Sequence, residues 1–223
     1  MNTWNDFRVK ENTKTWTELY FEMAEFAYNN KPYVSTVPYN VEHLMKDSLK
    51  HLGRSKIKFG LNIGGSLSTK IWPLDAWEKF AKSLISLNYW VVFIGGTSDE
   101  HNYKTLEQRF AEYHKEQVFF PGYNNSIENT CALIKHLDVI VSGDTFAFHI
   151  ALAFDIFGVI LFGPSNPSEV IPKHKTNTKD IRGHTKCSPC ADQVQCHGNG
   201  GCMDFIPADA VLASVKECVK QMG

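Results

Sequence analysis

The sequence predicts a doubly wound α/β fold, in which a parallel sheet carries helices on both faces. Short apolar runs, each the length of a buried strand, alternate along the chain with stretches of helical periodicity. A glycine pair directly follows two of these runs, at Gly64-Gly65 and Gly95-Gly96. The stretch 138–167 contains a strand, a short helix and a second strand in close succession, which is typical of a βαβ unit.

Composition places the chain among ordinary globular proteins. Its 223 residues suffice for one large or two small domains with an apolar core. A net charge of −1 gives no sign of a nucleic-acid partner or of a strongly basic membrane-binding surface. No apolar run is long enough to span a bilayer, and the polar N-terminus lacks the apolar stretch of a signal peptide. We therefore expect a cytoplasmic protein, with peripheral attachment to the inner membrane as the alternative.

Ahead of the sheet, the sequence predicts a solvated arm and two helices. Residues 1–14 are polar and are expected to form the arm. Residues 14–29 place apolar side chains on one helical face, which is expected to dock against the main sheet from outside. Residues 41–52 form a second predicted helix, with Gly53 as its C-cap. These elements make up the first predicted unit, an N-terminal arm and helical linker over residues 1–56.

The second predicted unit, residues 57–223, holds the sheet and its helices. Its strands are short apolar runs bounded by turn residues, predicted at 57–63, 90–94, 118–120, 139–141 and 157–162. Its helices follow N-cap or proline signals and are predicted at 74–87, after Thr97, after Ser126, at 146–154 and at 207–222. Beyond Pro172 the chain turns polar, and Lys173, His174 and Lys175 are expected to be solvated.

The ends of the predicted strands indicate a phosphate site. Ligands of open parallel sheets bind at the carboxyl ends of the strands, beside helix N-termini. Asp144 or Thr145 is the expected N-cap of the helix after the fourth strand, and His149 follows on it. Lys70 follows the first glycine pair and offers a point charge to a phosphate. In the alternative interpretation, Asp144 and Thr145 only cap a helix, His149 is a core histidine and Lys70 is a solvated surface charge.

Four of the six cysteines crowd together near the C-terminus, at Cys187, Cys190, Cys196 and Cys202. In a reducing compartment, thiolates this close in a glycine-rich loop favour a structural metal site for zinc or iron, with His197 as a substitute ligand. The Cys-x-x-Cys pair could instead be a redox pair. Free thiols and two disulfides are the remaining alternatives.

These motifs together resemble glycosyltransferase family 9, the heptosyltransferases. The run VSGDTFAFHIA followed by LFGPSNP is similar to the hallmark of that family. The loop GGSLSTKIWP followed by Trp77 is similar to the family's K-x-W-P segment, and VVFIGGTSDE is similar to its next strand and loop. The cysteine segment resembles a tail found in part of the family, and residues 16–28 resemble the segment that links the two halves of these enzymes.

The resemblance implies the C-terminal half of a GT-B glycosyltransferase, preceded by a helical extension. In that fold a Rossmann-like domain lies on each side of a cleft, and the C-terminal domain binds the nucleotide sugar, usually ADP-heptose. The matching positions imply a donor site formed by Gly64, Gly65, Lys70, Gly96, Glu100, Asp144, Thr145 and His149. Within it, Glu100, or Asp99 beside it, falls near the ribose.

The resemblance also implies transfer with inversion and without a catalytic metal, to a lipopolysaccharide core or a protein side chain. A base removes the acceptor proton, while Lys70, His149 and the helix start after Gly143 stabilise the departing diphosphate. The chain departs from the family in two respects. Phe146 replaces a glycine, and the acceptor domain that carries the base has no counterpart. We therefore expect a fragment, a half that needs a partner chain or self-association, or a decayed remnant.

The leading hypothesis is a donor-binding half of a heptosyltransferase-like enzyme. A nucleotide-binding module without its own activity is the second hypothesis. A metal-stapled interaction domain whose phosphate site is no longer used is the third. Nucleotide binding separates the first two from the third, and transfer of a sugar separates the first from the second.

Overall fold

A six-stranded parallel sheet forms the centre of the protein. The computed structural model describes residues 10–30, 36–49, 57–113, 117–191 and 201–222. Within these residues the strands are β1 (Lys58–Asn62), β2 (Trp90–Ile94), β3 (Val118–Phe119), β4 (Val139–Gly143), β5 (Phe157–Phe162) and β6 (Thr178–Arg182). They lie in the order β3-β2-β1-β4-β5-β6, and each neighbouring pair is parallel. The predicted doubly wound α/β fold is therefore confirmed.

Helices connect the strands and precede the sheet. They are α1 (Trp16–Met23), α2 (Tyr39–Ser48), α3 (Leu74–Ser86), α4 (Glu100–Arg109), α5 (Ile127–Lys135), α6 (Phe146–Ala153), α7 (Pro167–Val170) and α8 (Ala208–Met222). Short 3-10 turns lie at Ser68–Lys70, Thr97–Asp99 and Cys202–Phe205. Ser126 caps α5 as predicted, because its hydroxyl accepts a hydrogen bond from the backbone N–H of Asn129. None of the helices in the described part of the chain is long and apolar enough to cross a membrane.

The core consists of two layers, one on each face of the sheet. Alternate residues of a strand point to opposite faces, so Val91 and Phe93 of β2 join one layer and Val92 and Ile94 join the other. The first layer packs under α3, α4 and α8, and the second packs under α2, α5 and α6. Burial on both faces explains why the central strands are continuous apolar runs.

Strand β6 corrects the expectation for the polar stretch after Pro172. It pairs in parallel with β5 at the edge of the sheet, and the pattern Thr-Lys-Asp-Ile-Arg gives no apolar signal because an edge strand is partly solvated. The prediction that Lys175 is solvated is wrong. Its side chain is only 7% exposed and its Nζ lies 2.8 Å from Oδ1 of Asp155.

The expectation that the apolar face of residues 14–29 docks against the sheet is wrong, because the apolar face of helix α1 is exposed. Tyr20, Met23 and Phe26 are 62%, 80% and 70% exposed, and no residue of α1 is buried. The segment is attached at its start instead, where Asn166 donates a 3.0 Å hydrogen bond to the carbonyl oxygen of Asn12. A capping box between Thr15 and Glu18 stabilises the start of α1 locally, without any packing against another element. The helical periodicity of the sequence therefore predicted the helix correctly but overstated its burial.

The predicted division at residue 56 lies outside the described residues, as do Gly53 and residues 1–9. Helix α2 packs against α5, and Nζ of Lys135 lies 2.9 Å from Oε2 of Glu42. The assignment of residues 1–56 and 57–223 to two units stays a prediction.

Candidate functional site

A crevice of about 470 Å³ opens at the carboxyl ends of β1, β2 and β4. Here the strand order reverses, because the chain runs from β1 towards β3 on one side and then crosses to β4 on the other. Such a switch point is where open α/β sheets bind their ligands. The crevice is lined by Asn62, Gly64, Gly65, Ser66, Ile94, Gly95, Gly96, Ser98, Asp99, Asn125, Ile127, Thr130, Thr145, Phe146 and Ala147.

The glycine pairs form one rim of this crevice, as the sequence predicts. Asp99 belongs to the loop after β2, where its Oδ2 accepts a 2.8 Å hydrogen bond from the backbone N–H of Gly96. A Cβ atom on Gly64 would collide with the carboxylate of Asp99. The Asp99 carboxylate therefore packs directly against the backbone of Gly64, and the glycines leave this part of the rim without side chains, so that a ligand can approach the backbone closely.

Asn62 ties the end of β1 to the start of α6. Its buried Nδ2 donates to Oγ1 of Thr145 at 3.0 Å and to Oγ of Ser142 at 3.2 Å. Thr145 is the N-cap of α6, but its hydroxyl is hydrogen-bonded to Asn62 and Ser142 and makes no capping hydrogen bond. The first N–H groups of α6 are thus left without a side-chain cap, at the position where a helix favours an anion.

A charged cluster adjoins this helix start on the side of β5. Lys70 Nζ donates to Oδ2 of Asp144 at 3.0 Å, and Ser165 Oγ donates to the same oxygen at 2.6 Å. His149 places Nε2 at 3.7 Å from Oδ1 of Asp144. The structure therefore brings together three residues predicted for the site, Lys70, Asp144 and His149, and adds Ser165.

The environment of Asp144 keeps its carboxylate charged. Burial by itself would raise the pKa of Asp144, but His149, Ser165 and Lys70 outweigh it and hold the pKa well below its ordinary value. Lys70 reaches Asp144 because its loop lies directly on the end of β4. A Cβ atom on Gly143 would be 2.8 Å from the carbonyl oxygen of Lys70. The ammonium of Lys70 is thus held beside the start of α6, which itself carries the imidazole of His149, 52% exposed.

Glu100, like Lys70, Asp144 and His149, is not among the residues that line the crevice. It starts α4 on the exposed surface, where its carboxylate pairs with Lys104 and accepts a 2.7 Å hydrogen bond from the hydroxyl of Tyr123. Asp99 does line the crevice. The ribose contact predicted for Glu100 stays a prediction.

The cysteine segment packs onto the loop that follows β5. Ser188 Oγ donates a 2.6 Å hydrogen bond to the carbonyl oxygen of Gly163, and Cys190 donates its N–H to Pro164 at 2.9 Å. Cys202 is buried beneath Gly163. Cys196 and His197 lie outside the described residues, and within the described ones no three His, Cys, Asp or Glu side chains are grouped to hold a metal ion. The four-cysteine metal site stays a prediction.

Sequence reasoning missed Asn62, and it placed residues 163–166 at this edge of the sheet without singling out Ser165. A single asparagine at the end of a strand carries no motif signal, and only the pairing of β1 with β4 brings it to Ser142. Ser165 belongs to the run GPSNP, so its place after a strand was a usable signal.

Sequence comparison relates the chain to known transferases. Residues 8–199 match the family model described as glycosyltransferase family 9 (heptosyltransferase). Lipooligosaccharide heptosyltransferase 2 of Campylobacter jejuni subsp. jejuni serotype O:6 is 23% identical over 169 residues, which are 74% of this chain and 52% of that protein. The chain spans about half the length of the curated relatives it matches.

Solved structures agree with this relation at the level of the fold. E. coli ADP-heptose LPS heptosyltransferase II has a TM-score of 0.66 at 22% identity, covering 85% of this chain and 54% of that one. The family 9 glycosyl transferase of Veillonella parvula has a TM-score of 0.74 at 16% identity, covering 96% of this chain and 62% of that one. These likenesses show a shared fold over the part that this chain covers.

Proposed function

Since the chain belongs to glycosyltransferase family 9, we propose that it is the donor-binding half of a sugar transferase that uses a nucleoside diphosphate sugar. The observation that carries this proposal is the cluster of Lys70, Asp144 and His149 beside the uncapped start of α6. It lies next to a glycine-rimmed crevice at the switch point of the sheet. Cationic side chains and free helix N–H groups are what a diphosphate requires.

The diphosphate of the donor would bind between the glycine rim and the first turn of α6. Lys70 supplies a positive charge in a fixed position. Its ammonium group donates a hydrogen bond to Asp144, and Ser165 in turn donates to the same carboxylate oxygen. His149 adds an imidazole that can hydrogen-bond to the diphosphate. We propose ADP-heptose as the donor, because the E. coli structure named above is of an ADP-heptose transferase.

Transfer would proceed with inversion. The acceptor hydroxyl oxygen would form the new bond to the sugar as the diphosphate leaves, and the hydroxyl proton would pass to a base on the part of the assembly that binds the acceptor. Negative charge on the diphosphate grows as the bond to the sugar breaks, and Lys70, His149 and the N–H groups of α6 would stabilise it. The proposed acceptor is a lipooligosaccharide core, since the Campylobacter jejuni relative is named for that substrate. A protein side chain is the second proposed acceptor class. In the proposed assembly, a second copy of the chain or another subunit supplies the acceptor-binding half.

The test is a calorimetric titration of the purified chain with ADP and with ADP-heptose. We expect micromolar binding, weakened about tenfold or more in Lys70→Ala and His149→Ala, because the first variant removes a positive charge and the second a hydrogen-bonding imidazole beside the diphosphate. Lys79→Ala is the matched control, since Lys79 is 61% exposed and pairs with Asp209 on the surface. Failure of the unaltered chain to bind either ligand at millimolar concentration would refute the proposal.

A further inference from the structure

Strand β6 lies at the end of the sheet and leaves one edge of its backbone open. Within the described residues it pairs with β5 alone. The carbonyl oxygen of Asn177 and the N–H of Gly183 are both hydrogen-bonded to β5. In a parallel ladder alternate residues bond to the same neighbour, so the backbone groups of Thr178, Asp180 and Arg182 point away from β5. These three residues offer N–H and C=O groups to a further strand.

The side chains on this edge carry charges of both signs. Asp180 and Arg182 are exposed, and Oδ2 of Asp180 accepts a 2.9 Å hydrogen bond from Nε of Arg182. Ile181 between them packs against the core layer under α8. Charges on an edge strand exclude strands that bring like charges opposite them. An edge that reads acidic, apolar, basic is complementary to a strand that presents the reverse order.

A second copy of β6 presents that reverse order when it runs antiparallel to the first. With a two-fold axis at Ile181, Asp180 of each copy lies opposite Arg182 of the other, and each such pair can exchange two backbone hydrogen bonds. An axis at Lys179, Asp180 or Arg182 would instead place identical charges directly opposite one another, which is unfavourable. Charge complementarity therefore selects one register of the edge with itself.

Exposed apolar surface lies beside the same edge, on the face of the sheet that carries α8. Phe205 is 61% exposed and lines a groove of about 540 Å³ together with Ile181, Ala210 and Ser214. A two-fold axis perpendicular to the sheet keeps α8 of both copies on one face, so the two grooves meet above the paired strands. The pairing would thus cover apolar surface as well as the open backbone.

We propose that two copies of this chain associate through β6, which pairs antiparallel with its counterpart across a two-fold axis at Ile181 and joins the two six-stranded sheets into one. Main-chain hydrogen bonds supply affinity in such a strand pairing, and the side chains select the partner. Strand β5 separates β6 from the crevice at β1, β2 and β4, so the crevice stays open. The inference does not depend on the proposed function.

Sedimentation equilibrium of the purified chain tests the proposal by measuring its mass in solution. We expect a dimer with a micromolar Kd. Asp180→Arg and Arg182→Asp each bring like charges together in both pairs and should weaken the dimer about tenfold or more. An equimolar mixture of the two variants restores opposite charges in both pairs, so it should associate within about threefold of the unaltered chain. Lys104→Asp is the matched control, since Lys104 is 54% exposed on α4, and it should leave the mass unchanged.

Amide hydrogen exchange separates strand pairing from contact of side chains alone. The N–H groups of Asp180 and Arg182 should become protected only at concentrations at which the dimer forms. Those of Lys179 and Ile181, which point to β5, should be protected at every concentration.

Four outcomes would overturn the proposal. The first is an unaltered chain that stays monomeric at submillimolar concentration, which would leave the edge to a different partner. The second is a dimer that persists in both charge variants, which would place the interface elsewhere. The third is a pair of monomeric variants that stay monomeric when mixed, which would exclude the antiparallel register. The fourth is rapid exchange at Asp180 and Arg182 within a dimer.

Discussion

Lys70 and Asp144 are 74 positions apart in the chain, yet Nζ of Lys70 lies 3.0 Å from Oδ2 of Asp144. Their side chains are 19% and 13% exposed, so the pair is largely shielded from water. It joins the loop after β1 to the turn after β4, and Ser165 joins the loop after β5 to the same oxygen. Three strand ends thus meet at one carboxylate, which fixes the charged side of the proposed donor site.

Asp144→Asn tests the charge of this pair through the pH dependence of stability. The pKa of Asp144 is held below its ordinary value in the folded chain, so its contribution is fully present above the unfolded value near 3.8 and is lost as pH falls below it. At pH 7 the substitution should cost about 1–3 kcal/mol of unfolding free energy, and the cost should shrink below about pH 4. Urea unfolding at pH 7, 4 and 3 measures this. Asp209→Asn is the control, and it should cost no measurable unfolding free energy because that carboxylate is 75% exposed. An equal cost for Asp144→Asn at all three pH values would contradict the lowered pKa of Asp144.

Asn62→Ala tests whether Asn62 keeps the start of α6 free. Removal of its Nδ2 leaves the hydroxyls of Ser142 and Thr145 without a buried donor and should cost about 1–3 kcal/mol in urea unfolding. Thr145 can then turn its hydroxyl to the N–H groups of α6, so ADP should bind about threefold to tenfold more weakly. Asn102→Ala, on α4 away from the crevice, is the control. ADP affinity that is unchanged in Asn62→Ala would limit Asn62 to a structural role.

Gly64→Ala tests the packing of the glycine rim. The added methyl group meets the carboxylate of Asp99, which is itself bound to the N–H of Gly96, so the two loops must separate. We expect a loss of about 1–3 kcal/mol in thermal or urea unfolding, with weaker ADP binding. Gly201→Ala is the matched control, because no atom lies within 4 Å of the added Cβ. Equal stability of the two variants would show that the rim tolerates a side chain.

Tyr103→Phe tests the anchor of the loop that leads from β3 to Asn125. The buried hydroxyl of Tyr103 accepts a 2.7 Å hydrogen bond from the N–H of Gly122, and burial raises the pKa of Tyr103 well above its ordinary value. The substitution should cost about 1–2 kcal/mol at pH 7. Because the pKa is raised, the contribution of the tyrosine is lost as pH rises above about 10, and the difference between the two proteins should narrow there in urea unfolding. A difference that is constant from pH 7 to pH 11 would contradict this account.

The sequence was sufficient for most of the fold, since the five strands from β1 to β5 have an apolar pattern that burial on one or both faces imposes. Strand β6 was not predicted from the sequence, because it is defined by its backbone pairing with β5 and has no apolar side-chain pattern. The face of α1 was misjudged because periodicity shows which side chains lie together and not whether anything covers them.

The candidate site was accessible from sequence where residues closely follow strands, as Gly64 and Asp144 do, or lie in the loop after a strand, as Lys70 does. Its hydrogen bonds were not, because Asn62 and Ser142 come from neighbouring strands 80 positions apart in the chain. Long-range contacts of this kind depend on the register of β1 with β4, which no local pattern encodes.

A crystal structure of the chain with ADP tests the central claim most directly. The account predicts diphosphate oxygens within about 3 Å of Nζ of Lys70 and of the first N–H groups of α6. Nucleotide bound elsewhere, such as in the groove beside Arg182 and Phe205, would contradict the proposed donor site.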